Sequence, residues 1–277
     1  MSVSLICACK NRAKPLRISL SSWLLHDQIK EIIIVDWSSD EPMYEFAKID
    51  ERIKVIRVDG EKYFNQPQPL NLAAKLATSE YLLKVDCDHI FNPYFNFFES
   101  HKIQKDEFVT GFNMLVNDEF LHPLWGLLYV GKDHFEKVGG YNENMGEYYA
   151  VEDDELCVRF ISLGLTAIPI KINKYTAIHI PHSDKKRVEH FESFEKIEKT
   201  LISTDDENLE NKLYSRIAKI SKKKNVESHP ICGRMYEILG ELDLEETVEI
   251  DVDYYCEPIY KWDLEKISNQ IYKAVKV

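Results

Sequence analysis

The sequence predicts an α/β protein: a doubly wound, mainly parallel twisted sheet flanked by helices. Three observations predict it. Short apolar runs alternate with segments of helical spacing from Val3 to Val85. One run, Glu31-Ile32-Ile33-Ile34-Val35-Asp36, is continuously apolar before its closing aspartate, as strands buried on both faces of a parallel sheet are. The polar residues Asn11, Arg12, Asp36, Asp86 and Asp88 all fall at the carboxyl ends of such runs, where open α/β sheets bind their ligands.

In chain order, Val3 to Cys9 reads as a buried strand. Lys10-Asn11-Arg12 follows as a loop, and a helix with Pro15 near its start runs to about His26. Glu31 to Asp36 is the second strand and ends in the polar turn Ser38-Ser39-Asp40. A short helix from Met43 to Ile49, a strand from Ile53 to Val58, a helix from Pro69 to Thr78 and a strand from Tyr81 to Val85 complete the alternation. Such alternation implies right-handed crossovers. Phe108 to Phe112 reads as a strand. Leu124 to Val130 is a further apolar run carrying Trp125 and Gly126, and Gly139-Gly140-Tyr141 makes a turn. Asp153 to Leu163 is helical, with Leu156, Phe160 and Leu163 on one face and Gly164 as its stop; Thr166 to Ile172 is a late strand.

The texture changes after about residue 190. Phe191 to Ile202 and Glu207 to Lys224 are charge-rich with helical spacing, parted by Ser203-Thr204-Asp205-Asp206. Lys222-Lys223-Lys224 reads as a solvated helix end. Val248 to Asp253 alternates like a half-exposed strand, and Trp262 to Val277 is expected to close the chain as a helix. The expected division is therefore a domain over 1–190 and a mostly helical C-terminal extension over 191–277. No internal repeat or low-complexity tract interrupts either part.

Of the 277 residues, 44% are hydrophobic and 30% charged, which suits a globular core. The net charge of -12 argues against a nucleic-acid or anionic-membrane binder, since phosphate backbones demand a basic surface. A nucleotide needs only a local basic or metal-bearing pocket and is not excluded. Met1 to Cys7 lacks the pattern of a signal peptide, and no run approaches the ~20 apolar residues of a membrane span. A cytoplasmic location is expected, with peripheral contact at the inner face of the membrane left open. The six cysteines are scattered; only Cys7 and Cys9 lie close, no second pair completes a zinc site, and reduced thiols are expected.

The chemistry centres on Asp86-Cys87-Asp88. Two carboxylates one residue apart at a strand tip can hold a divalent cation, and a cation there can bridge the phosphates of a nucleotide. Asp-x-Asp is also common as solvated acid in a turn. Its company gives it weight: the cluster Glu152-Asp153-Asp154-Glu155 and the segment His179-Ile180-Pro181-His182. Oxygen ligands suit Mg²⁺ or Mn²⁺, and an added imidazole tilts the choice toward Mn²⁺. An attacking acceptor hydroxyl needs a carboxylate base opposite the leaving group, and the acidic cluster supplies candidates. Acids at a helix start also simply fit the helix dipole. Successive helical residues point about 100° apart, so only one or two of the four acids can face one pocket. Asp36 can accept from a uracil imide or cap the backbone of Ser38 or Ser39. Arg12 can pair with a phosphate or remain a surface side chain.

In this order, the pieces resemble the GT-A glycosyltransferases, which are Rossmann-like. Cys9-Lys10-Asn11-Arg12 followed by Ile34-Val35-Asp36-Trp37-Ser38-Ser39 is similar to glycosyltransferase family 2 and related bacterial capsule or surface-polysaccharide transferases. Trp125-Gly126 to Val130, Gly139-Gly140-Tyr141-Asn142-Glu143, Glu152-Asp153-Asp154-Glu155-Leu156 with Arg159 and Gly164, and Ile180-Pro181-His182-Ser183-Asp184-Lys185-Lys186 resemble the β-1,4-galactosyltransferase group. They also resemble the galactosyltransferase half of bacterial chondroitin synthases. The resemblance covers about residues 1–190.

It implies a metal-dependent, inverting transfer of a hexose or N-acetylhexosamine from a UDP-sugar to a glycan or lipid-linked saccharide, in capsule or lipopolysaccharide synthesis. Asp153 would be the base and Glu152 would position a sugar. Ala8, Asn11, Arg12, Asp36, Asp86 and Gly126 would surround the nucleotide, with Asp36 at the uracil and Asp86 by the ribose. Asp88 and His182 would bind Mn²⁺ or Mg²⁺, His179 being the competing ligand. The sequence departs from the group in two places. Cys87 fills the middle of the acidic pair, and Gly146-Glu147-Tyr148-Tyr149-Ala150-Val151 lacks the Trp-Gly-x-Gly texture, with Tyr149 in the place of a sugar-stacking tryptophan. These departures leave the donor sugar unassigned, galactose included. The rivals are a nucleotidyltransferase, for which Cys9 to Arg12 lacks a glycine-rich phosphate loop, and a non-catalytic nucleotide-sugar binding module. The C-terminal part can dock a partner, pair subunits into a homo-oligomer, or cover the acceptor site.

Overall fold

Seven consecutive residues, Val3–Cys9, form strand β1, buried along its length except for half-buried Ala8. In the computed structural model, the residues described are 2–92, 97–111, 124, 126–143, 152–170, 177–182, 186, 189–191 and 262–276. Helix α1 (Ala13–Trp23) carries Pro15 in its first turn, where a missing N–H costs no intrahelical bond, and buries Leu16, Leu20 and Trp23 along one stripe. Strand β2 (Ile29–Trp37), a 3-10 turn at Tyr44–Lys48, strand β3 (Ile53–Val58), helix α2 (Pro67–Leu76) and strand β4 (Tyr81–Lys84) follow. All of the predicted elements up to Val85 are present, with ends shifted by a few residues.

These four strands are parallel neighbours: β1 lies between β2 and β4, and β3 pairs with β2. Alternate side chains feed two cores, as strand geometry requires. Leu5, Cys7, Ile32, Ile34, Leu83 and Val85 pack on the face covered by α1. Ile6, Ile33, Val35, Ile56 and Leu82 pack on the other, against Leu70 and Ala73 of α2.

The second half is mixed. It comprises β5 (His89–Phe91), α3 (Phe97–Ser100), β6 (Glu107–Thr110), β7 (Leu128–Gly131), α4 (Lys132–Lys137), α5 (Glu152–Ser162), β8 (Thr166–Pro169) and β9 (Ala177–His179). The chain ends in β10 (Trp262–Lys266) and β11 (Ile271–Lys276). Among the described residues, nine strands form one sheet in the order β10-β11-β3-β2-β1-β4-β7-β6-β8. β7 runs antiparallel to both β4 and β6, while β8 is parallel to β6. A separate ribbon pairs β5 with β9 and sets His89 opposite His179. Gly164 closes α5, its N–H donating to the Ile161 carbonyl at 2.9 Å while Leu165 N donates to that of Phe160 at 3.0 Å.

One expectation is overturned. Trp262 to Val277 does not form a closing helix; within the described residues the C-terminal part is a hairpin, and β11 adds to the sheet parallel to β3. The cause is tertiary. The free edge of β3 offers a backbone ladder, Val55 N donating to the Gln270 carbonyl at 2.8 Å. The Gln270 side-chain amide then donates to the carbonyls of Ala47 (2.7 Å), Asp50 (2.9 Å) and Ile53 (2.9 Å). Trp262 packs edge-on against Trp37 at 5.6 Å. Residues 262–276 thus complete the sheet from which they were expected to stand apart. Of the helical segments expected over 191–202 and 207–224 and the strand over 248–253, all but Phe191 lies outside the described residues. Cys7, Cys9, Cys87 and Cys157 are buried free thiols, and no helix among the described residues is long and apolar enough to cross a membrane.

Candidate active site

At the carboxyl ends of β1, β2 and β3 the backbone is knotted by side chains. Lys10 Nζ donates to the carbonyls of Trp37 (3.3 Å), Ser38 (2.9 Å) and Glu61 (2.7 Å), tying three strand ends together. Burial lowers the pKa of that amine. Asn11, at φ 55, adopts the left-handed conformation that asparagine tolerates. Its N–H donates to Ser39 Oγ and its Oδ1 accepts from Asp40 N, both at 2.8 Å. Asp36 is fully buried. Its carboxylate accepts from Ser39 N (3.1 Å), Met43 N (3.0 Å) and Arg57 Nη1 (2.6 Å). The Ser39 N–H on Asp36 is the turn cap expected of it, and three donors offset the cost of burying its charge.

Asp88 is the meeting point of the next group. It is buried, and its Oδ2 faces Arg12 Nη2 at 3.0 Å, His182 Nε2 at 3.2 Å and His179 Nε2 at 3.6 Å. Burial alone would raise this carboxyl; hydrogen bonds from His179 and His182 and the nearness of His89 outweigh it and hold it far below the usual range. His89 is buried beside it, and burial lowers its pKa against the pull of Asp86 and Asp88. One ligand atom each from Asp88, His89 and His179 lie within 4.8 Å of one another. The structure therefore brings His179 and His182 to Asp88 together, with His182 the nearer, and adds His89. A carboxylate beside imidazole nitrogens can hold a divalent transition-metal cation, Mn²⁺ among them. Arg12 lies on that same carboxylate.

A third group surrounds Asp153, in the first turn of α5. Its Oδ1 accepts from the Tyr141 hydroxyl at 2.8 Å, and its Oδ2 lies 3.2 Å from Lys84 Nζ. Lys84 ends β4 and points to the α2 and α5 face, 2% exposed, with Asp86 Oδ1 also at 3.1 Å. A side chain at position 126 would press on this unit: a Cβ on Gly126, at φ +86, would meet Lys84 Nζ at 2.9 Å, Asp153 Oδ2 at 3.1 Å and Asp86 Oδ2 at 3.3 Å. Tyr141 is held in turn by Asn71 of α2, which accepts from Tyr141 N (2.8 Å) and donates to its carbonyl (2.9 Å). A Cβ at Gly140 would come within 2.5 Å of the Asn71 Oδ1, so glycine is required there. Burial raises the Asp153 pKa; Lys84 opposes and Asp86 adds to the rise. The Asp153 side chain nevertheless remains 24% exposed. Glu152 is buried beside it, and Glu155 forms a buried fork with Arg159, both bonds 2.7 Å, which anchors the helix.

The model of the glycosyl transferase family 2 matches residues 4–149, more than half of the chain. The chain belongs to glycosyl transferase family 2. A second model, described as the N-terminal domain of galactosyltransferase, matches residues 124–193. No curated protein matches the chain. Among solved structures, a mannosyltransferase from Pyrobaculum calidifontis, PcManGT, in complex with GDP-Man and Mn²⁺ is similar at a TM-score of 0.51 and 15% identity, over 88% of this chain and 81% of that one. TarS residues 1–349 of S. aureus are similar at a TM-score of 0.50 and 16% identity, over 90% and 76%. The catalytic domain of Drosophila β1,4-galactosyltransferase 7 with xylobiose gives 0.49 and 15%, over 100% and 94%. PcManGT and TarS support a shared GT-A fold.

In this glycosyltransferase, the expected residues fall into the three groups described. Asn11 and Asp36 build the turn at the strand ends, with Ala8 beside them; Arg12, Asp88, His179 and His182 form the second; Asp86, Gly126, Glu152 and Asp153 form the third. The sequence reading missed Lys84, Tyr141, Asn71 and Arg57. Lys84 stands out as a lysine inside the apolar run Tyr81 to Val85, and Tyr141 lies in the Gly139 to Glu143 stretch, but neither position tells of its partner.

Proposed function

We propose that the chain is a metal-dependent, inverting glycosyltransferase that moves a hexose or N-acetylhexosamine from a UDP-sugar to a glycan acceptor. The observation that carries this reading is the division of labour between two acids. Asp88 is set among imidazoles and a guanidinium, whereas Asp153 is raised in pKa, partly exposed and oriented by Tyr141 and Lys84. The bound nucleotide sugar and Mn²⁺ of PcManGT support the first role. The UDP-sugar rests on the galactosyltransferase match over 124–193, which spans Gly126, Asp153 and His182.

Asp88, His182 and His179 would hold the cation, which when bound supplies Lewis-acid neutralisation of the leaving diphosphate. Asp153 takes the proton of the acceptor hydroxyl as its oxygen attacks the anomeric carbon. The bond from that carbon to the phosphate oxygen breaks, and UDP leaves with the electron pair. A single displacement inverts the anomeric configuration. Glu152 positions a sugar, Asp86 lies toward the ribose, and the Asp36 turn with Arg57 shapes the base end. The setting is synthesis of a surface polysaccharide from the cytosolic side.

The test is a thermal-shift and hydrolysis screen of UDP-, GDP-, CMP- and dTDP-sugars, each with and without Mn²⁺. Stabilisation by a UDP-sugar only with the metal, with slow UDP release, is expected. Absence of any metal-linked response to nucleotides would leave a scaffold role for the acidic motifs.

A further inference from the structure

Lys84 is a costly residue to place at the heart of a sheet. An ammonium removed from water is tolerated only where opposite charges and hydrogen bonds replace its hydration. Lys84 has both, and from two elements: Asp86, just beyond its own strand, and Asp153, in the first turn of α5. Burial would favour the neutral amine, but the charges of Asp153 and Asp86 outweigh it and keep the ammonium protonated.

We propose that Lys84 is a positioning residue of the transfer reaction, its ammonium joining Asp153 and Asp86 into one rigid unit. This rests on Asp153 being the base. The ammonium holds one oxygen of Asp153 and the Tyr141 hydroxyl holds the other, so the carboxylate has a fixed plane while keeping lone pairs to spare for a proton. The same ammonium holds Asp86, so the acceptor-side base and the donor-side acid keep one separation. Small displacements of reacting groups cost large factors in rate, which is why such a clamp matters. Gly126 leaves the unit its space.

Among the described residues, the charged and titratable groups around Asp153 are Lys84 and Asp86 from β4 and the turn after it, Tyr141 from the turn that follows α4, and the adjacent Glu152 on its own helix. Lys84 is the one cation among them. Its removal leaves Asp153 beside Asp86 with no compensating charge, and the base then protonates at higher pH.

The experiment compares Lys84→Met, Lys84→Arg and Asp153→Asn with the wild type. Mn²⁺-dependent UDP release is followed against pH from whichever of UDP-galactose, UDP-glucose, UDP-N-acetylgalactosamine and UDP-N-acetylglucosamine turns over fastest. Binding of UDP with Mn²⁺ is titrated separately. Lys84→Met is expected to lower kcat about 100-fold while UDP affinity stays within about three-fold, because orientation is lost and ground-state binding is not. Its acid limb moves to higher pH, and Lys84→Arg, which keeps the charge, restores the limb and much of the rate. A folded Lys84→Met with wild-type kcat and limb and only a lower melting temperature overturns the proposal and leaves a structural ion pair. Should Lys84→Met fail to fold, Lys84→Met/Asp86→Asn, with one fewer stranded carboxylate, is compared with Asp86→Asn. A further loss in kcat supports the clamp, and equal rates overturn it. Should neither fold, Lys84→Arg decides, a displaced acid limb contradicting the role of the charge. An active Asp153→Asn removes the base reading and the clamp with it; an inactive one beside an unaffected Lys84→Met removes the clamp alone.

Discussion

Asp153 and Asp88 are the same side chain pushed in opposite electrostatic directions by their neighbours, which suits the base and metal-ligand roles proposed for them. Burial raises Asp153, while Asp88 is drawn far down despite its burial. A base must be ionised to act, so kcat/KM is expected to rise with pH along a limb set by a carboxyl above the ordinary aspartate range. A limb at the usual aspartate value in a pH-rate profile would contradict it. Asp153→Asn is expected to lower turnover by about 10²–10⁴-fold while UDP binding is kept, since a base acts in the transition state more than in the ground state. His182→Ala is expected to raise the Mn²⁺ concentration needed for half-maximal UDP binding more than His179→Ala does, because His182 lies nearer Asp88. An unchanged Mn²⁺ titration in His182→Ala would move the role to His179 and His89. At this scale the sequence displayed the acids and imidazoles but not their orienters. Tyr141 and Lys84 reach Asp153 only through the fold, and a turn glycine pair and a lysine in a strand give no local sign of such a partner.

Elements show where local pattern suffices. Parallel strands buried on both faces must be apolar throughout, so β1 to β4 could be read directly. The closing hairpin could not. Leu264, Ile267, Ile271 and Ala274 recur at three and four residues, as on a helix, and the β3 edge that captures them is more than two hundred residues upstream in a chain of 277. Trp262 is buried against Trp37 and donates to Gln68 Oε1 at 2.7 Å. Trp262→Ala is therefore expected to destabilise the fold by about 3–5 kcal/mol in denaturant unfolding, and an effect under about 1 kcal/mol would mean that the hairpin is dispensable.

The whole molecule is stapled at the end opposite the site by Glu31, which gathers the starts of β1 and β3 and the turn before β4. It accepts from Ser4 Oγ at 2.5 Å, from Thr78 N at 2.5 Å and from Lys54. Burial raises its pKa, but these donors outweigh burial and the net shift is downward. The stability it contributes is present above the unfolded glutamate value and is lost as pH falls through the lower folded value. Glu31→Gln is expected to cost about 1–3 kcal/mol at pH 7 and progressively less in acid; a cost that does not shrink in acid would deny the linkage. A firm base for the sheet lets the ends of β1, β2, β3 and β4 and the start of α5 present their side chains at one end of the fold.

The most direct test of that site is Mn²⁺-dependent release of UDP from a UDP-sugar by wild type and Asp153→Asn side by side. The account expects release by the wild type only with Mn²⁺, and loss of release in the variant while it still binds UDP. Release without the metal, or undiminished release by the variant, would contradict it.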